Sequence, residues 1–222
     1  MNETIRRPES PLDYVLFDLD GTLLDTLPDI AASVNHTLRR LGRPALTVPV
    51  IRSYVGHGLE ALMTRSLGDG GPERIDEGVR LFRAHYDDHC LDASRPREGA
   101  LELVRHFAGR PLGVVSNKPE RFVRRLLRAF DLEKSMDAVF GGDSVPEKKP
   151  DPLMVRLALE RFGAAPERGI LVGDMPVDVE TGRAAGVYTV AVSGGFVDRA
   201  DLEASGPDLL VDRLPEIAAL FH

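Results

Sequence analysis

Two aspartates that follow a short apolar run are the residues of this sequence best suited to chemistry. Asp18 and Asp20 come directly after Tyr14–Phe17, a run typical of a buried strand. Residues two apart on a strand point to the same side, so both carboxylates would face the crevice where open α/β sheets bind ligands. Two neighbouring carboxylates repel each other and need a cation or a shared proton. The plainer interpretation is that Asp20, Gly21 and Thr22 form only a polar turn.

Three further polar clusters follow segments that are predicted to be strands. They are Ser116, Asn117 and Lys118 after residues 112–116, Lys148 and Lys149 in the loop after residues 138–140, and Asp174 and Asp178 after residues 169–173. Parallel strands place their carboxyl ends at one edge of a sheet. We therefore expect these side chains and the two aspartates to converge on one site, which argues against a mere turn.

The side chains in these clusters indicate a particular chemistry. Carboxylates from separate strands, without a histidine cluster, suit a hard cation, most plausibly Mg²⁺. A hydroxyl, backbone N–H groups and a lysine suit phosphate oxygens. A metal and a lysine would keep an aspartate ionised and let it approach a phosphoryl group. The sequence therefore predicts phosphoryl transfer to an aspartate.

The elements that must position these residues fall into two groups. Helical spacing covers residues 29–41, 48–55, 59–67 and 75–91, separated by turns and not by strands. From Arg97 onward, helices and strands alternate, with later strands at 187–192 and 209–211 and a final helix at 214–221. Alternation predicts an α/β fold with a doubly wound parallel sheet. We expect a discontinuous sheet domain, residues 1–25 and 97–222, with an inserted helical domain, residues 26–96.

Composition restricts the class of protein. The chain of 222 residues is 43% hydrophobic, and its net charge is −7 without a basic tract, which argues against nucleic acid as a partner. No apolar stretch approaches the ~20 residues that span a bilayer. Residues 1–11 lack the apolar segment of a signal peptide and are expected to be a loose tail. The one cysteine, Cys90, is read as an inert small residue in a helix, and it suits a reducing cytoplasm.

The four clusters resemble, in the right order and over essentially the whole chain, the motifs of the haloacid dehalogenase superfamily of phosphatases. The corresponding residues are Asp18-Leu19-Asp20-Gly21-Thr22 for the first motif, Ser116 for the second, Lys149 before Pro150 for the third, and Gly173, Asp174 and Asp178 for the fourth. The resemblance implies a Rossmann-like core with a helical cap. It also implies hydrolysis of a phosphate ester.

The family's catalytic roles can be carried over to three residues. The resemblance implies that Asp18 is the nucleophile that forms an aspartyl-phosphate. Asp20 would protonate the leaving oxygen and then activate water. Lys149 would neutralise the phosphoryl group.

The resemblance also implies which residues bind the metal and the phosphate. Asp18, Asp174 and the Asp20 carbonyl would ligate Mg²⁺, with Asp178 supporting the metal. The expected phosphate or substrate contacts in the core are Gly21, Thr22, Ser116, Asn117 and Lys118. Lys118 could instead be a surface residue at a helix start. Lys148 is expected to be a solvated neighbour, Asp25 to be structural, and Asp143 to be either a site acid or a turn former.

In this family, a helical insertion between the first two motifs covers the site and selects the substrate. Four residues of the insertion are candidate substrate contacts: Arg52, Gly56, His57 and Gly58. A Gly-x-Gly segment suggests a close backbone approach, although a plain helix–turn–helix junction with a surface histidine also fits. The sequences of this segment and of residues 141–150 resemble the corresponding segments of phosphoglycolate phosphatases. Those enzymes release glycolate and phosphate from 2-phosphoglycolate.

Several alternatives can be weighed against these residues. A phosphonatase needs a lysine in the insertion, and residues 26–96 contain none; dehalogenases lack the second aspartate, here Asp20. A receiver-like phosphoacceptor domain needs neither the helical insertion nor Asp20. A sugar phosphomutase of the β-phosphoglucomutase type, or another small-molecule phosphatase or pyrophosphatase, stays open, as does the choice between monomer and homodimer.

Overall fold

The computed structural model describes residue 8 and residues 11–68 and 71–221. Most of the tail expected over residues 1–11 lies outside the described residues. The strands are β1 Tyr14–Phe17, β2 Leu24–Asp25, β3 Arg95–Pro96, β4 Leu112–Val115, β5 Ala138–Phe140, β6 Gly169–Gly173, β7 Tyr188–Val192 and β8 Leu209–Val211. The helices are α1 Leu27–Arg40, α2 Val48–Arg52, α3 Leu59–Leu67, α4 Gly71–His89, α5 Ala100–His106, α6 Glu120–Ala129, α7 Leu153–Phe162, α8 Pro176–Ala185, α9 Arg199–Ser205 and α10 Leu214–Leu220.

Six strands form one parallel sheet in the order β5-β4-β1-β6-β7-β8. This arrangement confirms the predicted α/β fold with a parallel sheet. The chain winds outward from β1 through β4 to β5 and then crosses to β6 on the other side of β1. Ligands bind where the winding direction changes in such sheets. The carboxyl end of β1 lies at that point.

Helices cover both faces of the sheet, because successive side chains of a buried strand point to opposite faces. Val15 and Phe17 join a core that includes side chains of α5, α6 and α10, whereas Tyr14 and Leu16 join a core that includes α7. All four residues of β1 are fully buried. An uninterrupted apolar run is therefore what this central strand requires.

The four helices before residue 90 pack mainly on one another around a third core, to which α6 and the loops after β6 and β7 also contribute. The second and fourth helices differ from their predicted extents. Helix α2 ends at Arg52 and not near residue 55, because the N–H groups of Tyr54 and Val55 donate three residues back, as in turns. Gly56 and Gly58 then adopt φ of 114° and 88°, so the helix cannot resume. Helix α4 begins at Gly71 and not at residue 75, with Pro72 in its first turn, where proline is tolerated.

A two-stranded antiparallel ribbon joins the sheet to these helices. Leu24 pairs with Pro96 and Asp25 with Arg95. The pattern of hydrophobic residues does not predict this ribbon, since two-residue strands show no periodicity. Helix α9 is also absent from the prediction, and Leu202 is its one buried residue. The other helix ends lie within two residues of the predicted ends. Among the described residues, no helix has the length and apolarity needed to traverse a lipid bilayer.

Candidate active site

The loop after β1 brings Asp18 against the fourth polar cluster. The Asp18 backbone N–H donates to the carbonyl of Val172 in β6, with an N–O distance of 2.8 Å. Gly21 then turns the chain with a φ of 84°, and a Cβ atom there would lie 2.3–2.9 Å from the Asp174 carboxyl group. Glycine is therefore required both by the backbone angle and by the close approach of Asp174.

Three carboxylates and one ammonium form the centre of the site. Oxygens of Asp18, Asp174 and Asp178 lie within 4.8 Å of one another, and all three residues are buried. The Lys149 Nζ lies 2.9 Å from Asp18 Oδ1 and 2.6 Å from Asp178 Oδ1. Asp174 accepts hydrogen bonds from the Thr22 hydroxyl at 2.6 Å and from the Phe196 backbone N–H at 2.8 Å.

The charges in this cluster do not balance. Burial raises the pKa of Asp174 to about 8, and the charges of Asp18 and Asp178 act in the same direction. Burial also raises the pKa of Asp18 to about 6, against the opposing effect of Lys149. Burial alone would lower the pKa of Lys149, but Asp178 and Asp18 outweigh it and raise that pKa. Three oxygen donors with excess negative charge are the ligand set of a divalent cation, so the cluster fits one.

Asp20 belongs to a second ion pair. Both of its carboxylate oxygens lie 3.0 Å from the Lys118 Nζ, and one accepts the Thr26 hydroxyl at 2.6 Å. Lys118 is 8% exposed, and its Nζ lies 4.6 Å from the centre of the Tyr86 ring. The structure thus places Lys118 inside the site and not on the surface.

The second motif contributes a hydroxyl and a structural amide. Ser116 is buried, and its Oγ accepts the Lys118 backbone N–H at 3.4 Å. The Asn117 side chain accepts the Lys149 N–H at 2.9 Å and donates to the carbonyls of Lys149 and Gly56 at 3.0 and 2.9 Å. The Asn117 side chain therefore holds the Lys149 loop and the segment after α2 together.

A cavity of about 60 Å³, here called the site cavity, lies between these groups and the helices before residue 90. Its polar wall contains Asp18, Asp20, Ser116, Asn117, Lys118 and Lys149. Its apolar wall includes Ile30, Val55, Leu62, Phe82, Tyr86 and Phe196. About 10–15 Å³ of such space holds one water, so the cavity suits a molecule of a few heavy atoms.

Four predicted phosphate or substrate contacts do not line this cavity: Gly21, Thr22, Arg52 and His57. His57 is exposed and does not line the site cavity. Arg52 donates to the carbonyls of Gly195 and Val197, at 2.8 and 3.3 Å, and lines a separate groove. Both side chains thus lie away from the site cavity, Arg52 at the end of α2 and His57 in the turn that follows it. Gly56 and Gly58 do line it.

Other candidate side chains have identifiable hydrogen-bond or ion-pair partners. The Thr22 hydroxyl is engaged by Asp174. Lys148 pairs with the exposed Glu60 at 2.9 Å, as expected of a solvated residue. Asp143 accepts the Glu120 backbone N–H at 2.7 Å at the start of α6, which resolves it as a structural acid. Sequence reasoning missed Tyr86 and Thr26, since nothing in their local spacing distinguishes them from core residues.

Comparison with known proteins agrees with this fold. A family model described as haloacid dehalogenase-like hydrolase matches residues 15–192. A phosphoglycolate phosphatase of Nitrosospira multiformis is 38% identical over 219 residues, which are 96% of each chain. One of Pseudomonas putida is 35% identical over 210 residues, 90% of this chain and 76% of that protein. A crystal structure of a predicted phosphoglycolate phosphatase from Haemophilus somnus superposes with a TM-score of 0.89 and 27% identity, covering 94% of this chain and 97% of that one.

The chain therefore belongs to the haloacid dehalogenase-like hydrolase family. Within that family, it is similar to phosphoglycolate phosphatases over most of its length.

Proposed function

We propose that this protein is a Mg²⁺-dependent phosphatase that hydrolyses 2-phosphoglycolate to glycolate and phosphate through an aspartyl-phosphate on Asp18. Its family and the names of its relatives make the chain a phosphoric monoester hydrolase. The ester, the metal and the covalent intermediate are the proposed part. One observation carries the mechanism: Asp18 is buried beside a single ammonium and two further carboxylates, at the edge of a small cavity.

In the proposed reaction, an oxygen of Asp18 attacks phosphorus, and the bond between phosphorus and the ester oxygen breaks. Asp20 gives a proton to the departing oxygen, so that glycolate leaves. Water then attacks the phosphorus of the aspartyl-phosphate and loses a proton to Asp20, which releases phosphate and restores Asp18. Lys149 stabilises the negative charge on the phosphoryl group, and the Ser116 hydroxyl faces the same cavity as a donor.

The metal site of the proposal consists of Asp18, Asp174, Asp178 and the Asp20 carbonyl. All are oxygen donors. Burial, together with the neighbouring carboxylates, raises the pKa values of Asp18 and Asp174, and a divalent cation would offset this excess of buried negative charge. When bound, Mg²⁺ would neutralise charge on the phosphoryl group and on Asp18. Thr22 then acts by orienting Asp174 and not by holding phosphate.

We also propose a division of labour within the chain. Residues 1–25 and 97–222 form the catalytic core, and residues 26–96 form a cap that selects the leaving group. The extensive packing of α1–α4 on one another and the apolar wall of the site cavity support this division. The proposed setting is the cytoplasm, and the proposed state is a monomer or homodimer.

The test is Mg²⁺-dependent phosphate release from 2-phosphoglycolate, hexose phosphates, nucleotides and pyrophosphate. We expect 2-phosphoglycolate to be preferred, EDTA to abolish activity, and Asp18→Asn to lower kcat/KM by about a thousandfold or more. Asp143→Asn is the matched control, since Asp143 caps α6 through an oxygen that asparagine keeps. Unchanged activity in Asp18→Asn would refute the nucleophile. Conversion of a hexose phosphate without phosphate release would identify a phosphomutase instead.

A further inference from the structure

The apolar wall of the site cavity contains a buried hydroxyl whose oxygen faces the Lys118 ammonium and whose proton has no acceptor among the described residues. It belongs to Tyr86 of α4, which is 1% exposed. Leaving a buried donor unpaired costs free energy, so such groups usually serve a ligand or a mechanism. Because Tyr86 lines the site cavity, the partner of this hydroxyl is to be sought in a molecule bound there.

The ammonium of Lys118 lies beside the Tyr86 ring, 4.6 Å from its centre. An ammonium has three N–H donors. Two of them serve the Asp20 oxygens, which lie 3.0 Å from the Nζ. The third is directed at the Tyr86 hydroxyl oxygen. The Lys118 ammonium and the Tyr86 O–H therefore lie side by side in the wall of one cavity.

Few other groups in the site cavity could bind an anion. Of its described lining residues, Lys118 and Lys149 are the cations, and Lys149 is held by Asp18 and Asp178. The wall around Tyr86 is apolar, with Phe82, Leu62 and Phe196 among its members. In such surroundings, charge-assisted hydrogen bonds are stronger than in water.

We infer that the Tyr86 hydroxyl and the Lys118 ammonium together bind a carboxylate carried by the leaving group of the substrate. This inference rests on the proposed function. In 2-phosphoglycolate, a single carbon separates the carboxylate from the ester oxygen. Asp20 acts on that oxygen in the proposed mechanism, and Asp20 is hydrogen-bonded to Lys118. The carboxylate of so small a substrate therefore arrives within reach of both donors.

The position of the Tyr86 ring is set by packing. It stacks on Phe82 with ring centres 5.2 Å apart, and it meets the edge of Phe122 of α6 at 4.9 Å. Both neighbours are buried. A donor held in place in this way loses little freedom when it binds the carboxylate. Tyr86 would thus be the residue of the helical insertion that determines specificity for an acid-bearing ester.

The test compares kcat/KM for 2-phosphoglycolate and for ethyl phosphate, in which a methyl group replaces the carboxylate. The proteins are the wild type, Tyr86→Phe and the matched control Tyr14→Phe. Tyr14 is another buried tyrosine, and its hydroxyl donates to Pro166 at the far side of the sheet domain. We expect Tyr86→Phe to lower the ratio of the two kcat/KM values about tenfold or more, the loss of one hydrogen bond to a charged group. Tyr14→Phe should keep the wild-type ratio.

Binding gives a second readout that does not depend on turnover. In the Asp18→Asn background, calorimetry should show a Kd for 2-phosphoglycolate that rises about tenfold when Tyr86→Phe is added. A folding defect would lower both rates together and leave their ratio unchanged. A wild-type ratio in Tyr86→Phe, with an unchanged Kd, overturns the inference and leaves the proposed function standing. A wild-type enzyme that does not prefer 2-phosphoglycolate overturns the proposed function and this inference with it.

Discussion

Asp18 and Asp20 lie two residues apart, yet each has its own ammonium. Lys149 comes from the loop after β5 and pairs with Asp18, whereas Lys118 comes from the loop after β4 and pairs with Asp20. A nucleophile and an acid–base group need different surroundings, because one must stay ionised and the other must exchange protons. Separate partners meet this need even though the two aspartates share one turn of chain.

The glycine of that turn supports a prediction at the residue scale. Gly21→Ala should lower phosphatase activity more than tenfold, because its Cβ would collide with the carboxyl group of Asp174. Gly42→Ala is the matched control, since Gly42 also has a positive φ, 67°, but no atom lies within 4 Å of the place that a Cβ atom would take there. Both variants should lose about 1–2 kcal/mol of stability from the left-handed backbone.

Phosphate release and urea unfolding of the two variants measure these effects separately. If Gly42→Ala loses as much activity as Gly21→Ala, backbone strain alone explains the loss, and contact with Asp174 is not the cause.

At the residue scale, the sequence is sufficient to predict that the residues at the strand ends converge on one site. The structure brings Asp18, Asp20, Ser116, Lys149, Asp174 and Asp178 together, because spacing of two along a strand and parallel strand order are visible in the sequence. It places Arg52 and His57 outside the site cavity, because their positions depend on how the end of α2 and the turn after it are oriented. The contact of Tyr86 with Lys118 joins residues 32 positions apart on different elements. No local pattern encodes such a contact.

At the scale of a single element, Asp29 of α1 supports a prediction about stability. It is buried in the first turn of α1, and its carboxylate accepts the backbone N–H groups of Ala93 and Ser94 at 2.7–3.1 Å. Asp29→Ala should lower the free energy of unfolding by about 1–3 kcal/mol, because the N–H groups of the partly buried Ala93 and the buried Ser94 lose their partner.

The matched control is Asp76→Ala, which removes an exposed acid from α4; we expect a change within about 0.5 kcal/mol. Chemical denaturation measures both values. Equal effects in the two variants would show that the Asp29 hydrogen bonds contribute nothing beyond those of a surface acid.

Helices and strands can be predicted from the sequence where the hydrophobic pattern extends over several helical turns or over a complete strand. Helices α1, α3 and α7 and all strands of the large sheet fall in this class. Helix α9 has seven residues with one buried side chain, and β2 and β3 have two residues each. Their formation depends on partners that lie far away in the chain, such as Pro96 opposite Leu24. Tertiary contacts, and not local conformational preference, determine whether these short elements form.

At the scale of the whole molecule, the buried acidic cluster links stability to pH and metal. In the metal-free protein, the pKa of Asp174 is raised to about 8, above its ordinary value of 3.8. Its contribution to stability is therefore present at low pH and is lost as pH rises toward and through 8. A divalent cation competes with protons for the same oxygens. The rise in Tm that Mg²⁺ produces should therefore be larger at pH 8.5 than at pH 6.

Thermal unfolding with and without Mg²⁺ at the two pH values measures this difference. Asp174→Asn should lack most of the dependence on pH, because its side chain does not titrate. An equal gain in Tm at both pH values would contradict the assignment of Asp174 as a ligand.

The ribbon of β2 and β3 has a consequence for how this architecture can vary. Helices α1–α4 lie between β2 and β3 in the chain, and Leu24 and Pro96 are direct neighbours in this antiparallel pair. The segment between these two residues begins and ends at the same ribbon. Its length and sequence can therefore change without moving any strand of the large sheet. Grafting another segment between Thr26 and residue 95 would keep the strand ends that carry Asp18, Lys149 and Asp174. It would replace the contacts that the present segment makes with Asn117 and Lys118. New substrate preferences can then arise by exchange of the segment between β2 and β3, while the parallel sheet and the residues at its strand ends are kept.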